Sequence, residues 1–555
     1  MSNETSQTSP TPDEEPAGKP SYYITTPIYY VNAKPHLGTA YSTIVCDTQA
    51  RFRRMDGCDV KFLTGLDEHG QKVADSAAQH GMTPQQWVDS MVPDFKDLWR
   101  ELEISNDDFI RTTQPRHVRS VQHFWEVMRD RGYIYKGRYE GWYCVPEETY
   151  FTPTDVRHAE VNRDRPEDQP LCPDCGRPLS RVSEDSWFFR LSAFQQPLLD
   201  FYDAHPDFIQ PQIRYNEVRS FVEGGLKDLS VTRTSFDWGI PLPFDERHVT
   251  YVWFDALINY LTAVGYGDPT DEGAREFARR WPAQTHVVGK DIIRFHCVIW
   301  PAMLMAAGLE VPEHVLAHGF LLVRGADGKG EKMSKSRGNA IAPRQVIDLL
   351  GVEGYRYYFM TDVVHGADGA ISFERMAQVY NSDLANSWGN LVSRALNMAA
   401  KYFDGRSPRR ATDYAVRESP LSQAADGIYD RYTAAMRAFD YAAGAREAMR
   451  LVEAANLYIE QTAPWALAKD PARADDLRFT IWGLLEAIRI AATLLWPIMP
   501  SASAEVMRRL GLPDVPGDDL RGACAWGQFE GGEPVTKGEA LFPRLDDEAV
   551  AKAGE

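Results

Sequence analysis

The feature that most constrains the fold is a strand, a turn, a helix and a second strand that follow one another near the start of the chain. SYYITTPIYY at residues 21–30 has the β-branched and aromatic residues of a buried strand. After the turn VNAKP, the segment HLGTAYSTIVCDTQARFRRM places apolar residues at helical spacing, and DVKFLTG at residues 59–65 is typical of another strand. This order predicts an α/β fold with a Rossmann-like parallel sheet, whose ligands bind beyond the carboxyl ends of the strands.

The alternation of strand and helix signals is interrupted once and later ends. It stops near residue 137 at a loop-rich stretch, resumes near residue 247, and gives way after residue 373 to long amphipathic segments typical of a helical bundle. We therefore predict a sheet domain in two halves around a connective insertion, followed by an all-α domain. The predicted segments are a disordered extension 1–20, the sheet domain 21–136 and 247–330, the insertion 137–246, a loop region 331–372, the helical domain 373–520 and a C-terminal strap or tail 521–555.

Composition narrows the compartment and the partners. No apolar run approaches the roughly 20 residues that span a bilayer, and seven cysteines are spread unevenly over the chain. We therefore expect a cytoplasmic protein with reduced thiols. The net charge of -19 argues against indiscriminate binding to nucleic acid, although a local basic face would still attract it.

Two segments of the predicted sheet domain offer positive groups to an anion. GEKMSKSRG at residues 330–338 holds Lys332 and Lys335 three positions apart between two glycines, and His36 lies at a predicted helix start, where backbone N–H groups suit a phosphate. Alone, such a lysine pair is usually a solvated basic turn. Lysine is a compact charge on a flexible stem, so the pair suits a polyphosphate that must depart, namely the pyrophosphate of ATP.

HLGT at residues 36–39 and KMSKS at residues 332–336 resemble the two signatures of class I aminoacyl-tRNA synthetases. The segments TTPIYYVNAKPHLG, FLTGLDEHG, YVWFDALINY, VGKDIIRFHCVIWPAML and NLVSR are similar to those of methionyl-tRNA synthetases, over nearly the whole chain after residue 20. The resemblance implies that methionine and ATP form methionyl-adenylate and pyrophosphate, with Mg²⁺ on the departing phosphates. It then implies transfer of the methionyl group to the terminal adenosine of initiator and elongator tRNA(Met).

The resemblance places ATP between the first helix and the KMSKS loop. His36, Lys332 and Lys335 are implied to be catalytic, with Lys335 on the β- and γ-phosphates. The implied ATP-binding residues are His36, Gly38, Thr39, Lys332, Ser334 and Lys335. The family usually has a second histidine where this chain has Thr39, so we expect a hydroxyl to donate there in place of an imidazole.

The resemblance also implies a methionine pocket. Asp67 matches the position that takes the ammonium group, and Tyr30, Trp253 and His296 match positions that enclose the thioether. A carboxylate facing an amine makes a charge-assisted pair, and aromatic edges make favourable contacts with sulfur. Out of this context, Asp67 would belong to an acidic turn at a strand end, and the aromatic residues would be core residues.

In the helical domain, Asn390, Arg394 and Trp465 match positions that read the CAU anticodon. Asn390 and Arg394 are one helical turn apart and share a face, and Trp465 offers a stacking platform for an unstacked base. The tRNA-binding domain that some relatives carry after the bundle is not evident, which favours a monomer.

The insertion contains a cysteine knuckle, which we define as Cys144, Cys172 and Cys175. The C-x2-C of CPDCG is of the zinc-ribbon kind, but Glu147 stands where family members with zinc have a fourth cysteine. Zinc could be completed by Glu147, His158 or water, or the metal could have been lost and the knuckle kept. In either case we expect a structural role.

Three alternatives to a methionyl-tRNA synthetase fit the sequence less well. A synthetase for valine, isoleucine or leucine would need a much larger editing insertion, and one for cysteine would want zinc in its substrate pocket. A small-molecule nucleotidyltransferase would not need the KMSKS loop or the long helical extension. A non-catalytic tRNA-binding scaffold would be expected to have lost the KMSKS lysines or Asp67, and this chain keeps them.

Overall fold

The first strand, helix and second strand lie where the sequence predicts them, at Ser21–Tyr30, Leu37–Met55 and Asp59–Asp67. The computed structural model describes residues 18–145, 149–151, 156, 170–173, 175–324, 330–333, 341–364 and 366–554. A parallel sheet of six strands is central. Its spatial order is Asp108–Arg111, Asp59–Asp67, Ser21–Tyr30, Thr285–Gly289, His314–His318 and Ile209–Gln210. The predicted Rossmann-like fold is confirmed.

Alternate residues of the strands enter different cores. Tyr22 and Ile24 pack with the helix Leu37–Met55 on one face of the sheet, whereas Tyr23 packs with Trp125 and other residues on the opposite face. Successive strand side chains point to opposite faces, so a strand buried on both faces reads as a nearly continuous apolar run. This explains why SYYITTPIYY lacks a polar alternation.

The inserted stretch forms antiparallel sheets and then returns to the parallel sheet. Its strands Thr149–Phe151, Ile134–Cys144, Ser180–Phe189 and Leu229–Ser230 make one sheet, and Pro241–Leu242, Asp245–Thr250 and Thr232–Arg233 make another. Between these strands, Ile209–Gln210 pairs with His314–His318. The helix before it, Gln195–Ala204, is anchored to the same domain, because the buried Tyr202 hydroxyl donates to the Cys297 carbonyl at 2.6 Å. Part of the inserted stretch is therefore a strand of the parallel sheet.

The segment before the KMSKS loop differs from the prediction. The apolar run HVLAHGFLLV, which leads into the KMSKS loop, predicts a late strand of the parallel sheet along its whole length, and this prediction is wrong. Its first half, His314–His318, is the strand of that sheet, whereas Leu321–Arg324 pairs with Gly330–Lys332 and Gly369–Ile371 in a separate sheet. The break falls at Gly319, where an added Cβ would lie 2.1 Å from the Ala367 carbonyl oxygen. This close approach redirects the backbone and requires glycine.

The chain after residue 372 is mainly helical, as predicted. A π-helical segment, Tyr380–Gly389, joins two of the helices, and the longest helices are Tyr441–Thr462 and Ala474–Leu495. The α-helices are Phe373–Val379, Asn390–Tyr402, Pro420–Ala425, Ile428–Arg437, Tyr441–Thr462, Pro464–Leu467, Ala474–Leu495, Pro500–Arg509, Leu520–Cys524 and Asp547–Gly554. No helix in the described part of the chain has both the length and the apolar character to cross a membrane.

The C-terminal segment lies against the bundle. Phe529 and Phe542 are buried, and Asn381 exchanges two hydrogen bonds of 2.9 Å with the backbone of Leu545. These contacts fix residues that their Gly- and acid-rich sequence would leave undetermined.

One buried arginine joins the sheet domain to the bundle. Arg356, on the helix Pro343–Thr361, is fully buried and donates to Asp47 at 2.6 Å. It also donates to the carbonyls of Leu102 at 3.0 Å and Ile498 at 2.7 Å. Burial alone would raise the pKa of Asp47, but Arg356 and Arg51 outweigh it and lower that pKa to about 2. A paired, fully hydrogen-bonded charge therefore lies at the contact between the domains.

Candidate functional site

The main candidate site is a cavity of about 410 Å³ beyond the carboxyl ends of four parallel strands. These ends are Tyr30, Asp67, Gly289 and His318, and all four residues line the cavity. Ligands of doubly wound sheets bind where the strand order reverses, here between the first strand and Thr285–Gly289. The cavity brings together seven residues singled out from the sequence: Tyr30, His36, Gly38, Thr39, Asp67, Trp253 and His296.

The first helix begins at the cavity wall. His36 is its N-cap, and the His36 Nδ1 accepts from the Thr39 backbone N–H at 3.3 Å. An added Cβ at Gly38 would lie 3.1 Å from the imidazole ring, so a glycine there lets the ring fold over the helix start. The positive end of the helix and the exposed imidazole therefore face the same space.

Thr39 closes this helix start from the other side. Its hydroxyl accepts from the His36 backbone N–H at 3.5 Å, which completes a capping box. A hydroxyl has one donor and two acceptor positions, so accepting from the backbone still lets it donate to a ligand. The side chain is nearly buried and serves the helix as well as the cavity.

The turn after Asp67 is held by a buried polar network. Glu68 accepts from the Arg111 Nε at 2.6 Å, and the His69 Nδ1–H donates to Asp255 at 2.7 Å. The His117 Nε2–H donates to the other oxygen of Asp255, also at 2.7 Å. Burial alone would raise the pKa of Asp255, but His69 and His117 hold it below its ordinary value.

Asp255 joins two walls of the cavity. It lies on the helix Val252–Leu257, two residues after Trp253, while His69 follows Asp67 by two residues. One carboxylate therefore fixes the Asp67 turn relative to the Trp253 helix. Sequence reasoning missed it, because His69 and Asp255 are 186 positions apart.

One wall of the cavity carries a histidine and a tyrosine that are joined by a hydrogen bond. The His296 Nδ1–H donates to the Ile292 carbonyl at 3.1 Å, so its Nε2 accepts from the Tyr260 hydroxyl at 2.8 Å. Burial lowers the pKa of His296 to about 4. The pair is therefore neutral at pH 7. Tyr260 was missed, although it lies in the motif YVWFDALINY that was quoted for the resemblance.

Trp253 is backed by a second ring. It stacks on Phe295 with 3.8 Å between ring centroids and 9° between ring planes. Phe295 opens a π-helical turn, Phe295–Ile299, and such turns occur frequently at functional sites. The turn brings His296 to the cavity and Phe295 to the far side of Trp253.

Two charged residues of the cavity were not predicted. Asp291 follows the strand end at Gly289, and Lys72 follows Asp67 on the next helix, Gln71–Gln79. The Lys72 Nζ lies 5.3 Å from the centroid of the Tyr30 ring. A charge placed shortly after a strand end was the available signal for both.

The KMSKS segment is described only at its start. Ser334 and Lys335 lie outside the described residues, and of Lys332 only the backbone is described. Lys332 pairs with Leu322, whose neighbour Leu321 lines the cavity. The segment therefore begins beside the cavity.

The predicted anticodon residues lie on the surface of the bundle. Asn390 is exposed, and Arg394 forms an ion pair with Glu460 at 2.5 Å. Trp465 is 43% exposed on the short helix Pro464–Leu467. These side chains are accessible to a polar, aromatic-stacking partner such as an RNA loop.

The three sulfur atoms of the cysteine knuckle lie within 4.8 Å of one another, with 3.6 Å between the Sγ atoms of Cys144 and Cys175. Tetrahedral zinc with Zn–S distances of about 2.3 Å would separate its sulfur ligands by roughly 3.8 Å. The donor set therefore fits three positions of a zinc site. Glu147 and His158 lie outside the described residues.

The family models and the known relatives that match this chain point to the same family. The model of class I tRNA synthetases (M) matches residues 22–396, and that of the anticodon binding domain of methionyl tRNA ligase matches residues 409–554. The methionine–tRNA ligase of Caldanaerobacter subterraneus is 44% identical over 96% of this chain and 80% of its own length. That of Streptomyces coelicolor is 43% identical over 97% of this chain and 99% of its own length.

A solved structure extends the comparison to the fold. Mycobacterium tuberculosis methionyl-tRNA synthetase in complex with methionyl-adenylate superposes with a TM-score of 0.86 at 41% identity. The match covers 95% of this chain and 100% of that one. The two family models together span the sheet domain and the helical domain, and the match to the solved relative covers both. The chain belongs to the class I methionyl-tRNA synthetase family.

Proposed function

We propose that the cavity binds L-methionine and ATP, forms methionyl-adenylate, and delivers the methionyl group to tRNA(Met). The observation that carries the proposal is the convergence of Tyr30, His36, Asp67, Trp253 and His296 on one cavity at the strand ends. These residues come from distant parts of the sequence and have complementary chemistry. The relative solved with methionyl-adenylate supports the choice of ligand.

The cavity separates the parts of the amino acid by polarity. Asp67 would accept hydrogen bonds from the methionine ammonium, and Tyr30 and Trp253 would enclose the side chain. The Tyr260 hydroxyl donates to His296 in the structure, so it would have to turn from His296 toward methionine to donate to the thioether sulfur, a weak acceptor that an isosteric methylene cannot imitate. An apolar pocket distinguishes one methylene by only about 1 to 3 kcal/mol, so this polar end sharpens the choice.

In the first reaction, a methionine carboxylate oxygen attacks the α-phosphorus of ATP and the bond to the pyrophosphate oxygen breaks. Methionyl-adenylate remains and pyrophosphate leaves. His36, Gly38 and Thr39 would hold the nucleotide at the positive helix start, and the lysines of KMSKS would stabilise charge on the departing phosphates. Catalysis is then positioning and electrostatic stabilisation, without a covalent bond to the protein.

Mg²⁺ is expected to accompany the triphosphate. It prefers oxygen ligands, and the cavity supplies the carboxylate of Asp291 besides the phosphate oxygens, so the donor set fits. When bound, Mg²⁺ would neutralise charge on the phosphates.

In the second reaction, the 2′-hydroxyl of the terminal adenosine attacks the methionyl carbonyl carbon and AMP leaves. Asn390, Arg394 and Trp465 would read the CAU anticodon, which initiator and elongator tRNA(Met) share. We expect the enzyme to act in the cytoplasm, where translation uses both tRNAs. A monomer stays a prediction for sedimentation to test.

Zinc would be held by Cys144, Cys172 and Cys175, and it would fix the turn that carries them. Metal analysis of the purified protein tests this without an activity assay. We expect about one zinc per chain, lost in Cys172→Ser and kept in Cys58→Ser, a cysteine outside the knuckle. Absence of zinc from the unaltered protein would leave the knuckle as a retained fold element.

The proposed function is tested by ATP–pyrophosphate exchange with each of the twenty amino acids, followed by charging of tRNA(Met). Exchange with methionine alone is the expected result. Exchange with a different amino acid would overturn the pocket assignment. No exchange, together with intact tRNA binding, would favour a non-catalytic scaffold.

A further inference from the structure

The helix that follows Asp67 carries a lysine where its own stability does not favour one. Lys72 lies in the first turn of Gln71–Gln79. The N-terminal end of a helix carries partial positive charge, so a cation there is unfavourable. Residues that are unfavourable for local stability occur most often at functional sites, where binding or catalysis requires them.

Lys72 is half-buried and lines the cavity beside the proposed methionine pocket. Its Nζ lies 5.3 Å from the centroid of the Tyr30 ring, and Tyr30 is paired in register with Asp67. The cation and the carboxylate are thus on the same wall, on either side of one turn. A ligand that carries both signs of charge would meet both.

Among the described residues that line the cavity, Lys72 is the one lysine or arginine. Burial lowers the pKa of His296 to about 4, and it also lowers that of His318. Both of these buried imidazoles are therefore neutral at pH 7, and the third histidine of the lining, His36, caps the helix start proposed for the nucleotide. The permanent positive charge on the described walls comes from Lys72.

We propose that Lys72 binds the carboxylate of methionine, so that Lys72 and Asp67 together recognise the α-amino acid as a zwitterion. This inference rests on the proposed function of the cavity. Free methionine carries one charge of each sign at pH 7, and an ammonium on a flexible stem can hold one carboxylate oxygen while the other attacks ATP. Lys72 is then a specificity-determining residue for the amino acid, distinct from the phosphate-binding lysines of KMSKS.

The consequence is a preference for a ligand with a carboxylate. L-Methioninol has the same ammonium group and thioether as methionine but a hydroxymethyl group in place of the carboxylate. Asp67 and the side-chain pocket bind both compounds alike, whereas Lys72 favours methionine only.

The test is equilibrium binding of L-methionine and L-methioninol to the full-length protein in the absence of ATP. Lys72→Ala should weaken methionine about tenfold and change methioninol less than twofold, and Lys72→Arg should restore part of the loss. Lys96→Ala is the matched control, because Lys96 also lies over an aromatic ring, 5.0 Å from the Phe109 centroid, but does not line the cavity.

An equal loss for both ligands, or no loss for either, would overturn the inference. So would unchanged methionine binding with a raised KM for ATP, since Lys72 would then contact phosphates. Pyrophosphate exchange by the unaltered protein distinguishes a failure of the proposed function from a failure of the proposed role of Lys72. If that protein does not exchange with methionine, the proposed function fails. If it does, an unchanged methionine-to-methioninol ratio in Lys72→Ala refutes the role of Lys72 alone.

Discussion

Asp67 ends a buried strand, and at the residue scale it is where a single charge should matter most. In Asp67→Asn we expect the methionine ammonium to lose its charged partner while the shape of the pocket stays the same. Loss of one partner of a buried charge pair costs about 2 to 5 kcal/mol, so kcat/KM for methionine should fall about 30-fold or more. Pyrophosphate exchange at varied methionine concentration measures this kcat/KM.

Asp268→Asn makes the same charge change on an exposed residue outside the cavity and serves as its control. An unchanged kcat/KM in Asp67→Asn would contradict the assignment of the ammonium to Asp67.

The neutral state of His296 predicts a pH dependence of stability. Its folded pKa of about 4 lies below its ordinary 6.5, so the folded protein binds fewer protons than the unfolded chain between these values. This contribution is complete above pH 6.5 and is lost as pH falls toward 4. Between pH 7 and pH 5 the loss should be about 2 kcal/mol.

His296→Asn cannot titrate, so its melting temperature should fall less than that of the unaltered protein between pH 7 and pH 5. Calorimetry at the two pH values measures the difference. An equal fall in both proteins would show that His296 is not held neutral.

Some residues of the site were predictable because they have a local signal. His36 precedes an amphipathic helix, which placed it beyond the carboxyl ends of the strands, whereas Asp67 was assigned to the site through the resemblance, and its position at a strand end agrees with that assignment. The partners of these residues were not predictable. Asp255 meets His69 across 186 positions, and nothing near either residue in the sequence indicates the contact.

At the scale of elements, the start of the first helix combines two functions in Gly38. In Gly38→Ala we expect intrinsic helix propensity to rise by about 1 kcal/mol, because alanine is the better helix former. The new methyl group would press on the His36 imidazole 3.1 Å away. The KM for ATP should therefore rise while methionine affinity and thermal stability are kept.

Titration of ATP and of methionine separately in pyrophosphate exchange distinguishes these effects. A rise confined to the KM for methionine would mean that the helix start does not bind the nucleotide.

The short helix Pro464–Leu467 presents Trp465 to solvent, and its removal should affect one reaction only. Stacking of a base on an aromatic ring contributes about 1 to 3 kcal/mol. In Trp465→Ala, tRNA charging should therefore fall about fivefold to 150-fold in kcat/KM, and pyrophosphate exchange should be unchanged. Trp465→Phe is the matched control, because it keeps an aromatic ring at the same place.

An equal fall of exchange and charging in Trp465→Ala would contradict the division into two modules. Recovery of charging in Trp465→Phe would support stacking as the physical contribution.

Elements were predictable where an apolar run ended at a clear turn. The strand Ser21–Tyr30 is a run of β-branched and aromatic residues that ends at the turn VNAKP. HVLAHGFLLV misled because its apolar residues continue through Gly319, whereas the break is imposed by the Ala367 carbonyl from another part of the chain. A tertiary contact of this kind leaves no period in the sequence.

At the scale of the whole molecule, Arg356 connects the sheet domain, the helix Pro343–Thr361 and the bundle. Arg356→Met removes a charge and leaves Asp47 buried with one arginine fewer. Breaking a buried ion pair in this way costs about 3 to 5 kcal/mol. Calorimetry should show a lower melting temperature, and limited proteolysis should cut between the domains sooner.

Arg344→Met is the matched control, because Arg344 lies on the same helix and its ion pairs are on the surface. Surface pairs contribute about 0 to 1 kcal/mol, so its melting temperature should barely change. Equal effects of the two substitutions would show that the buried pair does not hold the domains together.

The contact between Arg356 and Asp47 also constrains how this chain can diverge. Asp47 lies on the helix that begins at the proposed nucleotide site, and Arg356 donates to the Ile498 carbonyl of the bundle. Replacing either residue alone would leave the other as a buried charge with one partner fewer. A lineage that alters one must alter both, or cross a poorly folded intermediate. Asp47 and Arg356 both precede the bundle, and Arg356 meets the bundle through the main-chain carbonyls of Pro497 and Ile498. A bundle exchanged from a distant relative should therefore dock on this domain if its chain presents carbonyl groups at the same place.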